Sequence, residues 1–190
     1  MKKGTLSIII GILLIGIVSA SLITHFAIIT GSVEVKGLVF YPDSHIAEKY
    51  YNLRINEVPD EEELTLIDGE NIIFETSPLE INEFYEADYT VYMRIKTNVE
   101  GNKLWAELWV LDGDENYKEM ICDNPLIFDI GATTNFWTYD QTCHGEELNY
   151  DEEDRLALRI YGAGQTSNYT LRVGDYTDES KISRIEVSAT

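Results

Sequence analysis

Hydrophobic residues form one continuous run near the start of the chain and an alternating pattern through the rest of it. Residues 4–30 contain no Asp, Glu, Lys or Arg, and within residues 5–29 the apolar side chains are interrupted only by Gly, Ser, Thr and one His. This run exceeds the roughly 20 residues that a helix needs to cross a bilayer. Lys2 and Lys3 precede it and favour the cytoplasmic side. We therefore expect a hydrophobic helix that contacts the membrane through residues 5–29.

The fate of this segment has three alternatives. Val18–Ala20 has the small-residue pattern of a signal-peptidase site, and cleavage there would leave a mature chain that begins at Ser21. Without cleavage, the segment remains as a single-pass anchor. Lys3 and Gly4 resemble the basic-then-glycine junction cut in archaeal type IV prepilins, which leaves the apolar helix on the mature subunit. All three deliver residues 31–190 beyond the cytoplasm, either on the cell membrane or secreted to the cell surface.

From residue 31 onward, apolar and polar residues alternate with the period of two that is typical of half-buried strands. In residues 89–97, for example, Tyr89 and Val91 fall on one face and Thr90 and Tyr92 on the other. The segments with this pattern predict strands at residues 32–41, 89–97, 104–111, 155–161, 169–173 and 182–187.

Two local patterns add elements between these strands. Asp68 and Gly69 suit the positive φ angles of a tight turn, so residues 64–76 are predicted to form a hairpin. A short helix is expected at residues 44–50. Many short strands at regular spacing indicate an all-β, antiparallel β-sandwich of the jelly-roll type. The predicted organisation is therefore a signal peptide or anchor helix at residues 1–30 followed by one extracytoplasmic domain at residues 31–190.

The charge of the chain restricts its partners. The sequence has 34 acidic and 14 basic residues, which gives a formal net charge of −20. Such a surface repels phosphate backbones, so nucleic-acid binding is excluded. The acidity either maintains solubility or recruits divalent cations.

Cys122 and Cys143 are the only cysteines. In an exported chain an even pair predicts a disulfide, which in the chain-entropy model contributes about 3 kcal/mol. The alternative, a zinc site that includes His144, would need four well-spaced ligands. The disulfide is therefore the prediction.

No catalytic arrangement is recognisable in the sequence. The histidines are His25, His45 and His144, and no serine lies in a nucleophile elbow. Among so many carboxylates, some pair would always suit glycoside hydrolysis. We therefore predict that the domain is not an enzyme, and a domain of this size needs no cofactor to fold.

Asp112, Asp114 and Asn116 place oxygen ligands at alternate positions, as the start of a calcium loop does. Tyr117 stands where such a loop has glycine, and a polar hairpin loop is the structural alternative. A second acidic run lies at residues 146–154. The sequence thus predicts weak calcium binding at one of these loops, or solvated loops only.

Two further features concern the surface. Asn168 begins an Asn-Tyr-Thr sequon for N-glycosylation, which is consistent with export. Trp105 and Trp109 fall on the face of their strand that is opposite the predicted core. They would form an aromatic platform for sugar rings, or they would be buried by a second sheet or a subunit contact.

The leader running into residues 30–36, together with residues 154–161 and 168–174, resembles archaeal cell-surface β-sandwich proteins similar to biofilm-fibre and bundling-pilus subunits. Some of these polymerise by adding an N-terminal strand to the next subunit. The resemblance implies a non-catalytic structural protein that associates with itself or with other surface proteins through Val33 and Val35. The alternative function is a membrane-anchored module that binds a glycan or a protein.

Overall fold

The computed structural model describes most of the chain after the hydrophobic run. The described residues are 38–47, 50–67, 70–78, 83–84, 86–98, 102–146, 148–149, 151–162, 168–174 and 182–189. The expected N-terminal helix, its cleavage positions, Val33 and Val35 lie outside these residues. Among the residues described, no helix is long and apolar enough to cross a membrane.

The described residues form strands and no helix. The strands are β1 (Leu38–Ala47), β2 (Tyr50–Ile55), β3 (Glu62–Leu66), β4 (Asn71–Glu75), β5 (Glu83–Phe84), β6 (Ala87–Thr97), β7 (Asn102–Leu111), β8 (Tyr117–Met120), β9 (Leu126–Ile130), β10 (Thr133–Gly145), β11 (Leu148–Asn149), β12 (Arg155–Gly162), β13 (Tyr169–Val173) and β14 (Arg184–Ala189).

Twelve strands join in one hydrogen-bonded sheet in the order β3-β13-β6-β14-β1-β2-β4-β12-β7-β8, with β10 added to β6 and β9 added to β7. β5 and β11 form a separate pair. The pairings among the described strands are antiparallel, except that of β2 with β4, which is parallel. The inward side chains of strands from both halves of the sheet meet in a single core, so the domain is an all-β sandwich with a mixed sheet.

Alternation in the sequence correctly predicted which side chains enter this core. In β6, Tyr89, Val91, Met93 and Ile95 are buried, and the residues between them are half-buried. The same pattern recurs in three more strands. Their buried residues include Leu104, Ala106, Leu108 and Val110 of β7, Leu156, Leu158 and Ile160 of β12, and Tyr169, Leu171 and Val173 of β13.

Two local predictions were wrong. The expected hairpin over residues 64–76 does not form, because β3 pairs with β13 whereas β4 pairs with β12 and β2. The expected helix at residues 44–50 is replaced by the end of β1 and the start of β2. Asp43 explains the second difference, since its carboxylate accepts the N–H of His45 at 3.2 Å beside a register shift in β1. The polar residues there form a bulge instead of a helical turn.

The predicted disulfide is confirmed. Cys122 and Cys143 are bonded, with their Cα atoms 5.9 Å apart, and the bond joins the segment after β8 to β10. Next to it, Gly145 forms an isolated bridge with Cys122. A Cβ atom at Gly145 would lie 2.7 Å from Cε2 of Tyr89, so this glycine lets β10 approach the core closely.

Candidate functional site

The register between β7 and β12 brings an unusual set of side chains together on the outward face of the sheet. Trp105 lies opposite Tyr161, and Glu107 lies opposite Arg159. β8 pairs with the far edge of β7 at Trp109. We call this surface the aromatic face and define it by Trp105, Glu107, Trp109, Tyr117, Arg159 and Tyr161.

Glu107 is the centre of the aromatic face. Its carboxylate accepts the Tyr161 hydroxyl at 2.6 Å, the Trp109 indole N–H at 2.9 Å and an Arg159 N–H at 3.3 Å. The residue is only 9% exposed. Burying a carboxylate is costly unless hydrogen bonds and an opposite charge compensate for it. These donors provide that compensation and hold the neighbouring side chains in place.

Tyr161 serves as a hydrogen-bond donor in this network. Burial, followed by its hydrogen bond to Glu107, raises the pKa of Tyr161 to about 12. The hydroxyl therefore keeps its proton at physiological pH. The Arg159 guanidinium lies 4.9 Å from the centre of the Tyr161 ring, which adds a cation–π contact.

The aromatic rings pack in pairs. The ring centres of Trp105 and Tyr161 are 5.5 Å apart, and those of Trp109 and Tyr117 are 5.0 Å apart in an edge-to-face arrangement. Ile127 of β9 lies opposite Trp105, and Ile127 and Tyr117 are each 42% exposed. Two pairs of aromatic rings thus flank the Glu107–Arg159 ion pair on a partly exposed surface.

Two polar atoms of this surface lack a hydrogen-bond partner among the described residues, Nε of Arg159 and the indole nitrogen of Trp105. The indole nitrogen of Trp105 is buried and has no hydrogen-bond partner in the part of the chain that the structure describes. An unpaired buried donor costs free energy. The outward orientation of Trp105 and Trp109 agrees with the sequence analysis, while their role in binding stays a prediction.

The predicted calcium loop connects β7 and β8. Asp112 accepts the backbone N–H of Asp114 at 3.0 Å and that of Asn116 at 2.8 Å. The backbone N–H of Asn116 is also the main cause that lowers the pKa of Asp112. One Asp112 oxygen is therefore already used in shaping the hairpin loop.

The second acidic run lies beside this loop. A Cβ atom at Gly113 would collide with the carboxylate of Glu153. Lys118 donates to Asp151 at 2.8 Å and to Asp154 at 2.6 Å, and these hydrogen bonds raise its pKa. Within the described ranges, no group of three or more His, Cys, Asp or Glu residues is arranged to hold a metal ion. Calcium binding stays a prediction.

The two histidines in the described part of the chain both contact carboxylates. His45 lies 3.1 Å from Asp43. His144 lies 3.0 Å from Asp88 and 3.0 Å from Glu86 on an exposed part of β6 and β10. The hydrogen bond to Asp88, followed by that to Glu86, raises the pKa of His144. His25 lies outside the described residues.

Comparisons with known proteins concern the fold of the domain. No protein-family model and no curated protein matches the chain. Solved structures do match: a CocE/NonD family hydrolase from Staphylococcus aureus aligns with a TM-score of 0.62 and 9% identity, over 80% of this chain. An α-amino acid ester hydrolase and an aminopeptidase from a marine sediment archaeon, Thaumarchaeota archaeon, each align with a TM-score of 0.56, at 10% and 11% identity, also over 80% of this chain.

This chain spans 36% of the length of each of these proteins. At such low identity the likeness shows the fold alone. The chain therefore contains a β-sandwich domain that is similar to part of several larger hydrolases.

Proposed function

We propose that the chain is a non-catalytic extracytoplasmic recognition module that binds a neutral glycan through the aromatic face. The observation that carries the proposal is the group of aromatic rings fixed around the buried Glu107 on an outward sheet face. Large apolar surfaces outside the core of a soluble domain are typical of binding sites. Rings that are already held in position also lose little conformational entropy when a ligand binds.

A sugar ring matches the two chemical properties of this surface. Its C–H groups stack on aromatic rings, and its hydroxyl groups accept hydrogen bonds. The indole N–H of Trp105 is buried and lacks a partner among the described residues, so a bound hydroxyl would accept it only after a local outward shift of that one ring. The tyrosine hydroxyl and the Arg159 guanidinium are directed toward Glu107, so they orient the rings.

The charge of the domain favours a neutral ligand. The net charge of −20 repels polyanions at long range. The nearest cation on the aromatic face, Arg159, is paired with Glu107 at 3.3 Å. A neutral saccharide is therefore a better match than a polymer of uronic acids.

The test is binding of the full chain to a panel of neutral and acidic polysaccharides by affinity electrophoresis, with calorimetry for any hit. We expect Trp105→Ala and Trp109→Ala each to weaken binding at least tenfold, which corresponds to about 1.4 kcal/mol. Ile46→Ala is the control, because Ile46 is an apolar residue that is 65% exposed on β1, outside the aromatic face. Absence of binding to every glycan, or equal loss in all three variants, would contradict the proposal.

A second function, a structural subunit that assembles by strand addition, is supported by β10. This strand has 13 residues, and among the described residues it pairs only with β6, apart from the bridge at Gly145. Asp140 is its only Asp, Glu, Lys or Arg. Edge strands are usually protected by several charges or by short length, whereas β10 is long and carries this one charge.

Residues 31–36, with Val33 and Val35 on one face, have the alternation that a donated strand requires. This function is the one implied by the resemblance to pilus and biofilm-fibre subunits. A chain beginning at Gly37 should then lose association with the native cell surface, and Gln141→Lys in the full chain should weaken association as well. Retention of every association by the truncated monomer would favour the recognition module instead.

A further inference from the structure

A polar groove lies where β6 ends, separate from the aromatic face. It encloses about 330 Å³. We call it the threonine groove, and its lining includes Lys96, Thr97, Thr133, Thr134, Asn168 and Thr170. Thr97 is the organising residue, since it lies opposite Thr133 of β10 on one side and Tyr169 of β13 on the other.

Hydrogen bonds hold the walls of the groove in position. The Thr97 hydroxyl donates to the carbonyl oxygen of Asn168 at 3.3 Å. On the opposite wall, the Thr133 hydroxyl donates to the carbonyl oxygen of Asn135 at 2.9 Å and accepts its N–H at 3.1 Å. The groove is thus shaped by the chain's own polar groups.

An exposed aromatic ring is attached to this wall. The indole N–H of Trp137 donates to the Thr133 hydroxyl at 3.0 Å, although the side chain is 60% exposed. A groove residue therefore fixes the position of an exposed indole ring that a ligand in the groove could contact.

The cation of the groove is already paired. The Lys96 ammonium lies 2.9 Å from Glu63 and 4.3 Å from the centre of the Phe136 ring. It therefore supplies hydrogen-bond donors without an excess of positive charge. Hydroxyl and amide groups beside one exposed indole match a saccharide, and they match neither a phosphate nor an apolar ligand.

We infer that the threonine groove is a saccharide site and that Asn168, the acceptor of the sequon, places the first sugar of an N-linked glycan in it. Asn168 is exposed directly before β13 and lines the groove itself. In the transfer, the Asn168 Nδ2 atom forms a bond to the anomeric carbon of a lipid-pyrophosphate-linked glycan. The anomeric C–O bond breaks, the lipid pyrophosphate leaves, and the amide loses one proton. The same groove chemistry would serve a free glycan.

Peptide mass mapping of the full chain, purified from its native membrane or medium, distinguishes a glycan attached to Asn168 from a free glycan bound in the groove. An attached glycan adds sugar mass to the peptide that contains Asn168, and the increment is lost in Asn168→Gln and Thr170→Val. Thr170→Ser keeps the sequon and should keep the increment. If Asn168 is unmodified but a free glycan binds and Trp137→Ala abolishes this binding, the ligand is the free saccharide.

Occupation of the groove has its own readout. The chain has three tryptophans, so Trp105→Phe with Trp109→Phe leaves Trp137 as the only indole fluorophore. We expect acrylamide to quench this fluorescence less when the sugar is attached than after enzymatic removal of the glycan, or less when free glycan is added to the unmodified chain. An unmodified Asn168 with no free glycan bound, or equal quenching in both states, overturns the inference. Both outcomes are read in the double variant, whose aromatic face lacks its two indoles, so they report on the groove and leave the test of the aromatic face to the Trp105→Ala and Trp109→Ala variants.

Discussion

At the scale of single residues, Gly145 lies so close to the core that its neighbours leave no room for a larger side chain. A Cβ atom there would lie 2.7 Å from Tyr89 Cε2 and 2.9 Å from Ile121 Cγ2, both in the core. Gly145→Ala should therefore lower the free energy of unfolding by about 1–3 kcal/mol through overpacking. Urea unfolding at equilibrium measures the change.

Gly131 supplies the matched control for this substitution. No atom lies within 4 Å of the position of a Cβ at Gly131, which is exposed between β9 and β10. Gly131→Ala should stay within about 0.5 kcal/mol of the original protein. Equal effects of the two substitutions would contradict the packing argument at Gly145.

His144 is expected to make the stability of the domain dependent on pH. Its pKa is raised by hydrogen bonds to Asp88 and Glu86, so the folded state binds the proton more tightly than the unfolded chain does. The resulting stability is fully present below about pH 6.5, the ordinary value, and is lost as the pH rises through the higher pKa of the folded state. We expect the original protein to exceed His144→Gln in stability at about pH 6 and to lose this advantage at an alkaline pH above the pKa of the folded state.

Urea midpoints for both proteins at the two pH values measure this advantage. Asp88→Asn removes the carboxylate that contributes most to the raised pKa of His144. This substitution should therefore also make the stability less dependent on pH. An advantage that grows with pH would show that the protonated ring does not stabilise the fold.

At the scale of elements, the disulfide and one strand pairing together hold β10. The bond joins Cys143 of β10 to Cys122, which lies 21 positions earlier. Replacing both cysteines with alanine should lower the free energy of unfolding by about 3 kcal/mol, because the unfolded chain regains the entropy of the open loop. Urea unfolding gives this value.

Hydrogen exchange adds a local readout to the same variant. Amides of β10 should exchange faster relative to those of β7, which pairs with β12, β8 and β9. Uniform acceleration over both strands would mean that the bond stabilises the whole sheet instead of β10.

The element scale also explains which parts of the aromatic face the sequence could predict. Alternation in β7 placed Trp105 and Trp109 outward, and alternation in β12 placed Arg159 and Tyr161 outward. The role of Glu107 was missed, because it depends on the register that sets Glu107 opposite Arg159. The order of the aromatic and charged residues within each strand carried no signal for this pairing.

At the scale of the whole molecule, the net charge of −20 should make stability depend on salt. Repulsion among like charges weakens the compact state, and salt screens it. We expect the melting temperature to rise when ionic strength increases from about 10 mM to about 150 mM, as the Debye length falls from about 30 Å to about 8 Å. Calorimetric scans with sodium chloride test this dependence.

Calcium is compared with magnesium at matched ionic strength in the same scans. A larger increase in melting temperature with calcium than with magnesium would support binding at Asp112, Asp114 and Asn116. Asp114→Asn should then abolish the difference between the two salts. This substitution preserves the backbone N–H that Asp114 donates to Asp112. Equal melting temperatures in both salts would contradict a calcium site.

The sequence by itself determined the fold class, the inward face of the long strands and the disulfide. Alternation with a period of two assigns each side chain to a face of its own strand, and only one pair of cysteines was available. The tertiary structure alone decided that β3 pairs with β13, that β4 pairs with β12, and that Thr133, Asn168 and Trp137 meet around one groove. Local patterns carry the face of a strand but not the identity of its neighbour, because pairing between distant strands depends on how their apolar faces fill one common core.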